Sequence, residues 1–476
     1  MPALMGCLLL ALGGCASGPP RAQGPFPIDT PAAWSGADAS GPARASSLVQ
    51  WWSRFDDPLL SRLVARALEA NTSVKSAQSA LRQARALRDV AAAGLLPSLD
   101  ASASAQHGTT GRHDSSKSFR AGLDASWEPD IFGGNRSALQ ASEASAMASA
   151  ASLGDVQVSI AAEVALGYIA LRSAQERLAI ADENLAGQLE ILQLTQWRLQ
   201  AGLVTSLEAE QARSGTEQTR AQLPALQASI ERNRHALAVL TGQPPAALAA
   251  ELAAAGPVPR AADDLALGLP AETLRQRPDV RAAEHRVAAA AARVSQAEAA
   301  RLPSFRLSGS LGLSALTLGT LTNGASVVSS LLAGVSMPVF DAGAARAQVR
   351  AEEAALEQAQ AAYEAALLAA LKDVEDALVA MRGDRQRLTH LQNAADAAGN
   401  AALLARQRFG SGLVDFQVVL DTQRTLLSTQ DGVAAASADV STDVVRLYKA
   451  LGGGWIPDGS DAARAPHDEP PRTSRP

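Results

Sequence analysis

The sequence predicts a mainly α protein built from a duplicated unit, each half combining a long coiled-coil hairpin with two amphipathic strands of membrane-spanning length. Three observations carry this. Arg198-Leu199-Gln200-Ala201-Gly202-Leu203-Val204 returns roughly 210 residues later as Arg408-Phe409-Gly410-Ser411-Gly412-Leu413-Val414, and Leu96-Pro97 with Leu302-Pro303, Phe132 with Phe340, and Arg172 with Arg382 keep nearly that offset. Self-similarity on this scale dictates architecture. No proline interrupts the chain between Pro129 and Pro224 or between Pro338 and Pro457, and leucines at 171, 178, 185, 192 and 199 recur every seven residues, as do Met381, Leu388, Ala395, Ala402 and Phe409. Sustained heptads read as coiled-coil packing. The third observation is a set of runs in which polar and apolar residues alternate, the period of a strand.

Taken in order, the chain opens with an apolar run from Ala3 to Leu12 that ends in Leu12-Gly13-Gly14-Cys15-Ala16-Ser17. Small residues abutting a cysteine resemble a bacterial lipoprotein signal, whose cysteine becomes the acylated first residue of the mature chain. Residues 1–14 are therefore read as signal and Cys15 as the lipidated residue, with Cys7 removed on cleavage. No basic residue precedes the apolar run, a departure from the usual pattern. No aspartate follows Cys15, which in the lipoprotein pattern implies sorting to the outer membrane. With cysteines only at 7 and 15, the body holds no disulfide framework and no thiolate metal site. Residues 15–57 form an extended, Gly, Pro and Ser-rich segment. No run of about 20 apolar residues follows, so any membrane crossing is expected to use strands.

The first repeat covers 58–260. Asp57-Pro58 places a carboxylate ahead of a proline at the first helical position and predicts a helix from Leu59 to Leu95. After Pro97, Ser98 to Ala105 alternates strictly, and Phe119, Ala121, Leu123, Ala125 and Trp127 alternate with Arg120, Asp124 and Ser126. A helix from Arg136 to Gln200 would span roughly 98 Å at about 1.5 Å per residue, with Ala174 and Ala181 permitting close helix approach. Gly202 turns the chain into a returning helix, Leu207 to Leu240, which Pro224 should kink. The second repeat, 261–455, follows suit. Pro278-Asp279 opens a helix to Leu302; Phe305, Leu307, Leu311 and Leu313 alternate with Arg306, Ser308 and Ser310; a weaker run covers Val327 to Met337; Gly412 turns the chain into Phe416 to Leu451. The tail, 456–476, lacks apolar content and is predicted disordered.

Each strand approaches the 9 to 11 residues that a tilted strand needs to cross a bilayer, and one polar face with one apolar face suits a wet lumen inside lipid. Phe119 and Trp127 are the candidates for aromatic girdles. Four strands cannot close, because unpaired edges in hydrocarbon are prohibitively costly, so the sheet must be finished by further copies. Three copies would give twelve strands and twelve long helices; pattern alone does not distinguish two copies from three. The net charge of −6 and the lack of a basic cluster give no reason to expect a nucleic-acid partner.

Trp51-Trp52-Ser53-Arg54-Phe55-Asp56-Asp57-Pro58, Trp127-Glu128-Pro129-Asp130-Ile131-Phe132-Gly133, Arg277-Pro278-Asp279-Val280-Arg281-Ala282-Ala283-Glu284 and Leu447-Tyr448-Lys449-Ala450-Leu451-Gly452-Gly453-Gly454-Trp455 together resemble the TolC-type outer-membrane factors, in their lipoprotein efflux branch. The resemblance spans about Cys15 to Trp455. It implies a homotrimer with a 12-stranded β-barrel in the outer membrane, continuous with a 12-helix α-barrel in the periplasm. It also implies docking to a periplasmic adaptor and a proton-driven inner-membrane pump of the RND type. By the same resemblance the hairpin tips, Gly202, Leu203, Val204, Thr205 and Ser206 with Gly412, Leu413, Val414 and Asp415, are the adaptor-contacting ends. Asp421 matches an acidic ring at the periplasmic gate, while Val418 stands where TolC-type members commonly carry a second acid. The implied protein is a passive duct in the outer membrane, anchored by a covalent lipid on Cys15 and otherwise without cofactor.

No phosphate loop, His-Glu-x-x-His spacing or Gly-x-Ser-x-Gly elbow is present, so an enzyme is disfavoured. His107 and His113 lie in the hydrophilic link between the first two strands and read as solvated loop residues. An adaptor would carry one hairpin and compact β domains, whereas this chain has two hairpins and four strands. An exit duct for protein secretion of the type I kind is the closest alternative; the lipidation signal and the Leu-Gly-Gly-Gly-Trp ending favour small-molecule efflux.

Overall fold

The computed structural model describes residues 48–110, 114–261 and 271–455. Cys15, the N-terminal segment as far as residue 47, His113, His467 and the tail after Trp455 lie outside the described residues. After a 3-10 turn at Trp51–Phe55 the elements run α1 (Pro58–Ala70), α2 (Thr72–Ala93), β1 (Ser98–Thr110), β2 (Asp114–Trp127), α3 (Gly134–Gln200), α4 (Ser206–Arg220) and α5 (Gln222–Leu240). Then come α6 (Pro278–Ala299), β3 (Ser304–Ala315), β4 (Val327–Ser336), α7 (Ala344–Gly410) and α8 (Phe416–Ala450). The two long helices, α3 and α7, have 67 residues each. The described chain divides into two compact units, and each takes a part of both repeats.

One unit comprises Ser79–Ala151 and Arg281–Ala366 among the described residues. Its four strands form a single antiparallel sheet in the order β1-β2-β3-β4, so β2 and β3 join the two repeats. The strands have 13, 14, 12 and 10 residues, longer at the first hairpin than the alternation alone predicted. Aspartates start both long helices. The Asp130 carboxylate accepts from the backbone N–H groups of Asn135 (3.1 Å) and Arg136 (2.8 Å), and Asp341 accepts from those of Gly343 (2.9 Å) and Ala345 (2.8 Å). Negative charge at these ends complements the helix dipole.

The other unit comprises 48–78, Ser152–Val280 and 367–455 among the described residues. Asp57 caps α1 as the sequence predicts, its Oδ1 accepting from the N–H groups of Leu59 (2.8 Å) and Leu60 (3.1 Å). The single helix expected from Leu59 to Leu95 is instead two, α1 and α2. Asn71 breaks it: its Oδ1 accepts from Ser73 N (2.8 Å) and its Nδ2 donates to Leu240 O at the end of α5 (2.8 Å). The side chain competes with the helix ladder for backbone groups. Pro224 acts as predicted and more strongly. Its ring cannot sit over the carbonyl four residues back, at Arg220, and the helix stops there, α4 ending at Arg220 and α5 beginning at Gln222.

Buried heptad side chains face their neighbours in this unit, Leu171, Leu185, Met381, Ala402 and Phe409 among them, and Ala174 and Ala181 are buried beside them. Ion pairs bind the helices laterally. Arg177 of α3 holds Asp431 of α8 through two bonds of 2.6 and 3.0 Å, and Arg406 of α7 reaches Glu190 of α3 at 2.7 Å. Arg277 ties three elements, donating to Ala450 O at the end of α8 (2.7 Å), to Asp279 of α6 (2.7 and 3.0 Å) and to Asp373 of α7 (3.3 Å). Tyr168 donates to Asp57 (2.8 Å) and accepts from Arg172, and burial, with Asp57 adding to it, pushes its phenol up to about 12. Helix α3 holds an 18-residue stretch long and apolar enough by composition to cross a bilayer. Half of that stretch is buried inside the protein.

Candidate functional site

Strand register decides which side chains share a face of the sheet. Leu99 lies opposite Ala125, Ala101 opposite Leu123 and Ala105 opposite Phe119. The same face continues through Leu123 opposite Leu311 and Trp127 opposite Leu307, then through Phe305 opposite Val335 and Gly309 opposite Leu331. The opposite face carries Ser98, Asp100, Ser102, Arg120, Asp124, Arg306, Ser308 and Ser310. There the hydroxyls pair across strands, Ser98 with Ser126 at 2.9 Å, Ser310 with Ser330 at 2.7 Å and Ser102 with Asp124 at 2.9 Å. Val328 and Leu332 of β4 are the apolar exceptions on this face. Leu99, Leu123, Leu311, Leu331 and Val335 remain exposed, so this face of the sheet is mainly apolar and largely uncovered, with His107, Lys117 and Ser329 among its polar members. Phe119 and Trp127 stand on that face eight residues apart, about 26 Å along a strand at about 3.3 Å per residue, close to the height of an outer-membrane barrel's apolar band. Among the described residues β1 and β4 each have only one hydrogen-bonded neighbour.

The predicted tips come together in the other unit. Both long helices end in the same way. Gly202 (φ 69°) and Gly412 (φ 73°) adopt the left-handed conformation; Leu203 N donates to Arg198 O (2.8 Å) and Leu413 N to Arg408 O (2.9 Å). This six-residue closure needs a residue that tolerates positive φ, hence glycine. Leu203 and Leu413 are 73% and 74% exposed, one on each tip. Val204 and Val414 are half-buried, and Thr205, Ser206 and Asp415 are exposed. Thr205 N donates to Glu208 Oε2 (2.9 Å), starting α4, and Asp415 precedes α8. Behind the tips Ile191, Ala212, Ala405, Phe409, Phe416 and Val419 form a core drawn from α3, α4, α7 and α8. The Phe409 and Phe416 rings lie 5.4 Å apart. Each of these two phenylalanine side chains, fully buried, is worth about 1.5–3 kcal/mol.

Val418 and Asp421 sit on an exposed face of α8, one turn apart, together with Gln417, Arg424, Thr425 and Ser428. Asp421 is not isolated: Gln417 Nε2 donates to it at 3.0 Å, and an Arg424 nitrogen stands at 4.0 Å. Sequence reasoning named Asp421 but passed over Arg424, three residues on, whose spacing alone places it on the same face. It also missed Arg198, although this residue heads the repeated motif. Arg198 lies over the Phe409 ring at 4.6 Å and reaches the carbonyls of Phe409 and Gly410, at 3.4 Å each. Among the described residues no group of three His, Cys, Asp or Glu side chains is placed to hold a metal ion.

A sheet with one greasy and one polar face, carried on a chain whose paired helical hairpins end in glycine turns, is the chemistry of a membrane channel. The chain matches the Outer membrane efflux protein family over residues 63–243 and 269–453, and it belongs to that family. It is 36% identical over 470 residues to the pyoverdine export outer membrane protein OpmQ of Pseudomonas putida, covering 95% of this chain and 98% of that one. It is 31% identical over 456 residues to the outer membrane protein OprJ of Pseudomonas aeruginosa, covering 94% and 95%. Among solved structures, the outer-membrane channel OprN superposes with a TM-score of 0.84 at 38% identity, covering 90% of this chain and 97% of that one. The open state of the MtrE outer membrane channel of Neisseria gonorrhoeae gives 0.83 at 28% identity, covering 92% and 98%. The fold is therefore that of the TolC-like outer-membrane channels. The protein is an outer-membrane channel, the exit duct of a tripartite efflux system, in a family of ducts rather than enzymes.

Proposed function

We propose that three copies of the chain complete one conduit, with twelve strands closing into a barrel and twelve long helices into a second, helical barrel. The observation that carries this is the sheet. Its apolar face is largely uncovered and, among the described residues, both its edges lack a partner, so lipid must meet the face and further strands must meet the edges. The Ser-rich face then lines water, and transport through it is passive. Gly202 to Ser206 and Gly412 to Asp415 form the ends that meet a periplasmic adaptor, itself coupled to an RND-type, proton-driven inner-membrane pump. Asp421, flanked by Val418, lines the narrow end of the duct, and Arg424 tempers the charge of its ring. A covalent lipid on Cys15 anchors the chain, and no other cofactor is required.

Relatives of this chain bear the names of exporters of pyoverdine and of toluene, which supports small organic molecules as cargo. Purification of the full chain from outer membranes in detergent, followed by native mass spectrometry and planar-bilayer recording, tests the proposal. A mass of three acylated chains and discrete conductance steps are expected. A monomeric mass, or protein recovered without detergent, overturns it.

A further inference from the structure

The internal repeat makes a demand on Arg408. In the first half, Arg198 of α3 crosses to α7 of the second half, where it covers the Phe409 ring at 4.6 Å and faces the terminal carbonyls of Phe409 and Gly410. A cation at that point meets both the negative end of the α7 dipole and an aromatic face. Eight residues before Arg198 on the same helix, Glu190 receives Arg406 of α7 at 2.7 Å. The repeat pairs Arg198 with Arg408, Phe409 with Leu199, Gly410 with Gln200, Arg406 with Gln196 and Glu190 with Asn400.

Among the described residues the polar side chains of these equivalents make no such contact. The Arg408 side chain is exposed and, among the described residues, makes no hydrogen bond, ion pair or ring contact; Gln196 and Asn400 are likewise exposed without side-chain partners. Leu199 is 36% exposed where its counterpart Phe409 is 7% exposed. The donor and its receptor are thus both present on one polypeptide, at opposite ends of the repeat, and both are vacant.

We propose that Arg408 of one copy closes onto the end of α3 of the next copy, covering Leu199 and facing the Leu199 and Gln200 carbonyls, with Asn400 and Gln196 paired amide to amide one turn above. The occupant is a second copy of this chain, because the receptor is its own first repeat. In a closed ring of repeats, every contact made from first half to second half has a counterpart made from second half to the following first half. The intrachain contact uses a charged pair, Glu190 with Arg406, while the contact between copies uses neutral amides. The tip interface between copies is accordingly held by Arg408 with less electrostatic support than the tip interface within a copy, and it is where the ring of tips parts when it widens.

The proposal rests on the trimeric reading above, and the experiment separates the two. Full-length Gln196→Cys/Asn400→Cys protein is treated in outer membranes with a short bismaleimide, beside both single variants and a Glu190→Cys/Arg406→Cys control, which links within one chain and reports that the tips are folded. Covalent dimers and trimers at least tenfold above the single variants are expected. Arg408→Ala should lower the temperature at which the oligomer dissociates in detergent, and Arg408→Lys should restore part of it. A native trimer with the control linked, but no crosslinking between copies above the single variants, overturns the assignment of Arg408 and leaves the trimer standing. A monomeric native mass overturns both.

Discussion

Asp443 carries a carboxyl whose charge the fold disfavours. It lies fully buried on α8, 0% exposed, and burial first, then a hydrogen bond to and the charge of the Asp384 carboxyl on α7, push it up to about 6, with Arg446 opposing. Arg387 stands by Asp384 at 3.7 Å and bonds Asp439 at 3.0 Å, so the shared proton is framed by two guanidinium groups and a third carboxylate. The folded carboxyl keeps its proton up to about pH 6, the unfolded one only to 3.8. The folded state therefore binds more protons between those values, and the stability this site contributes is complete below pH 3.8 and lost as pH rises through 6. Asp443→Asn should remove that slope, raising stability at pH 7 by about 3 kcal/mol at most relative to pH 4; thermal dissociation between pH 4 and 8 measures it, and an unchanged slope refutes the assignment. At the α8 face, Asp421→Asn should reduce cation preference by a few-fold and leave assembly intact, read as a shift in reversal potential under a salt gradient. Asp421 was legible as a candidate because it stands in a recognised motif; the Asp384–Asp443 pair was not, since neither residue marks a partner 59 positions away.

At the scale of elements, local chemistry is most legible where it is most local. Asp57-Pro58 announced the start of α1, Gly202 and Gly412 announced the ends of α3 and α7, and the strands followed from a period of two. Pro224 announced a defect in the returning helix, and Pro224→Ala tests whether proline alone causes it. The substitution restores an N–H that can bond the Arg220 carbonyl, so amide exchange across 221–225 should slow at least tenfold and α4 and α5 should merge. Exchange that stays fast would mean that packing, not proline, breaks the helix. The break at Asn71 was illegible for the converse reason. An asparagine is tolerated inside many helices, and what stops this one is the carbonyl of Leu240, 169 residues distant. Likewise Gly122 and Gly312 look like ordinary strand glycines. Register sets them face to face, where a Cβ on Gly312 would stand 2.7 Å from the Ala121 oxygen.

For the whole molecule, the alternate faces of one strand answer to different solvents. Leu331 stands mid-strand on the apolar face, 79% exposed, and Ser330 beside it points to the polar face. Arginine at 331 should cost about 2–4 kcal/mol of membrane stability, while arginine at 330 should cost little and alter ion selectivity instead. The fraction of detergent-resistant oligomer in outer membranes checks the first expectation, and bilayer recording checks the second. Equal losses at both positions would contradict the division into lipid and water faces.

The sequence by itself determined the repeat, the long uninterrupted helices, the glycine turns and the alternation of the strands, because each depends on residues within a few positions of one another or on a motif that recurs. Only the tertiary structure decided which strand of one half pairs with which of the other, that most of the strands' apolar residues fall on a single face with Val328 and Leu332 as exceptions, that Arg198 crosses to Phe409, and that Asp443 meets Asp384. Those contacts join residues from dozens to more than two hundred positions apart. Their specificity comes from register and packing geometry, which no local pattern encodes.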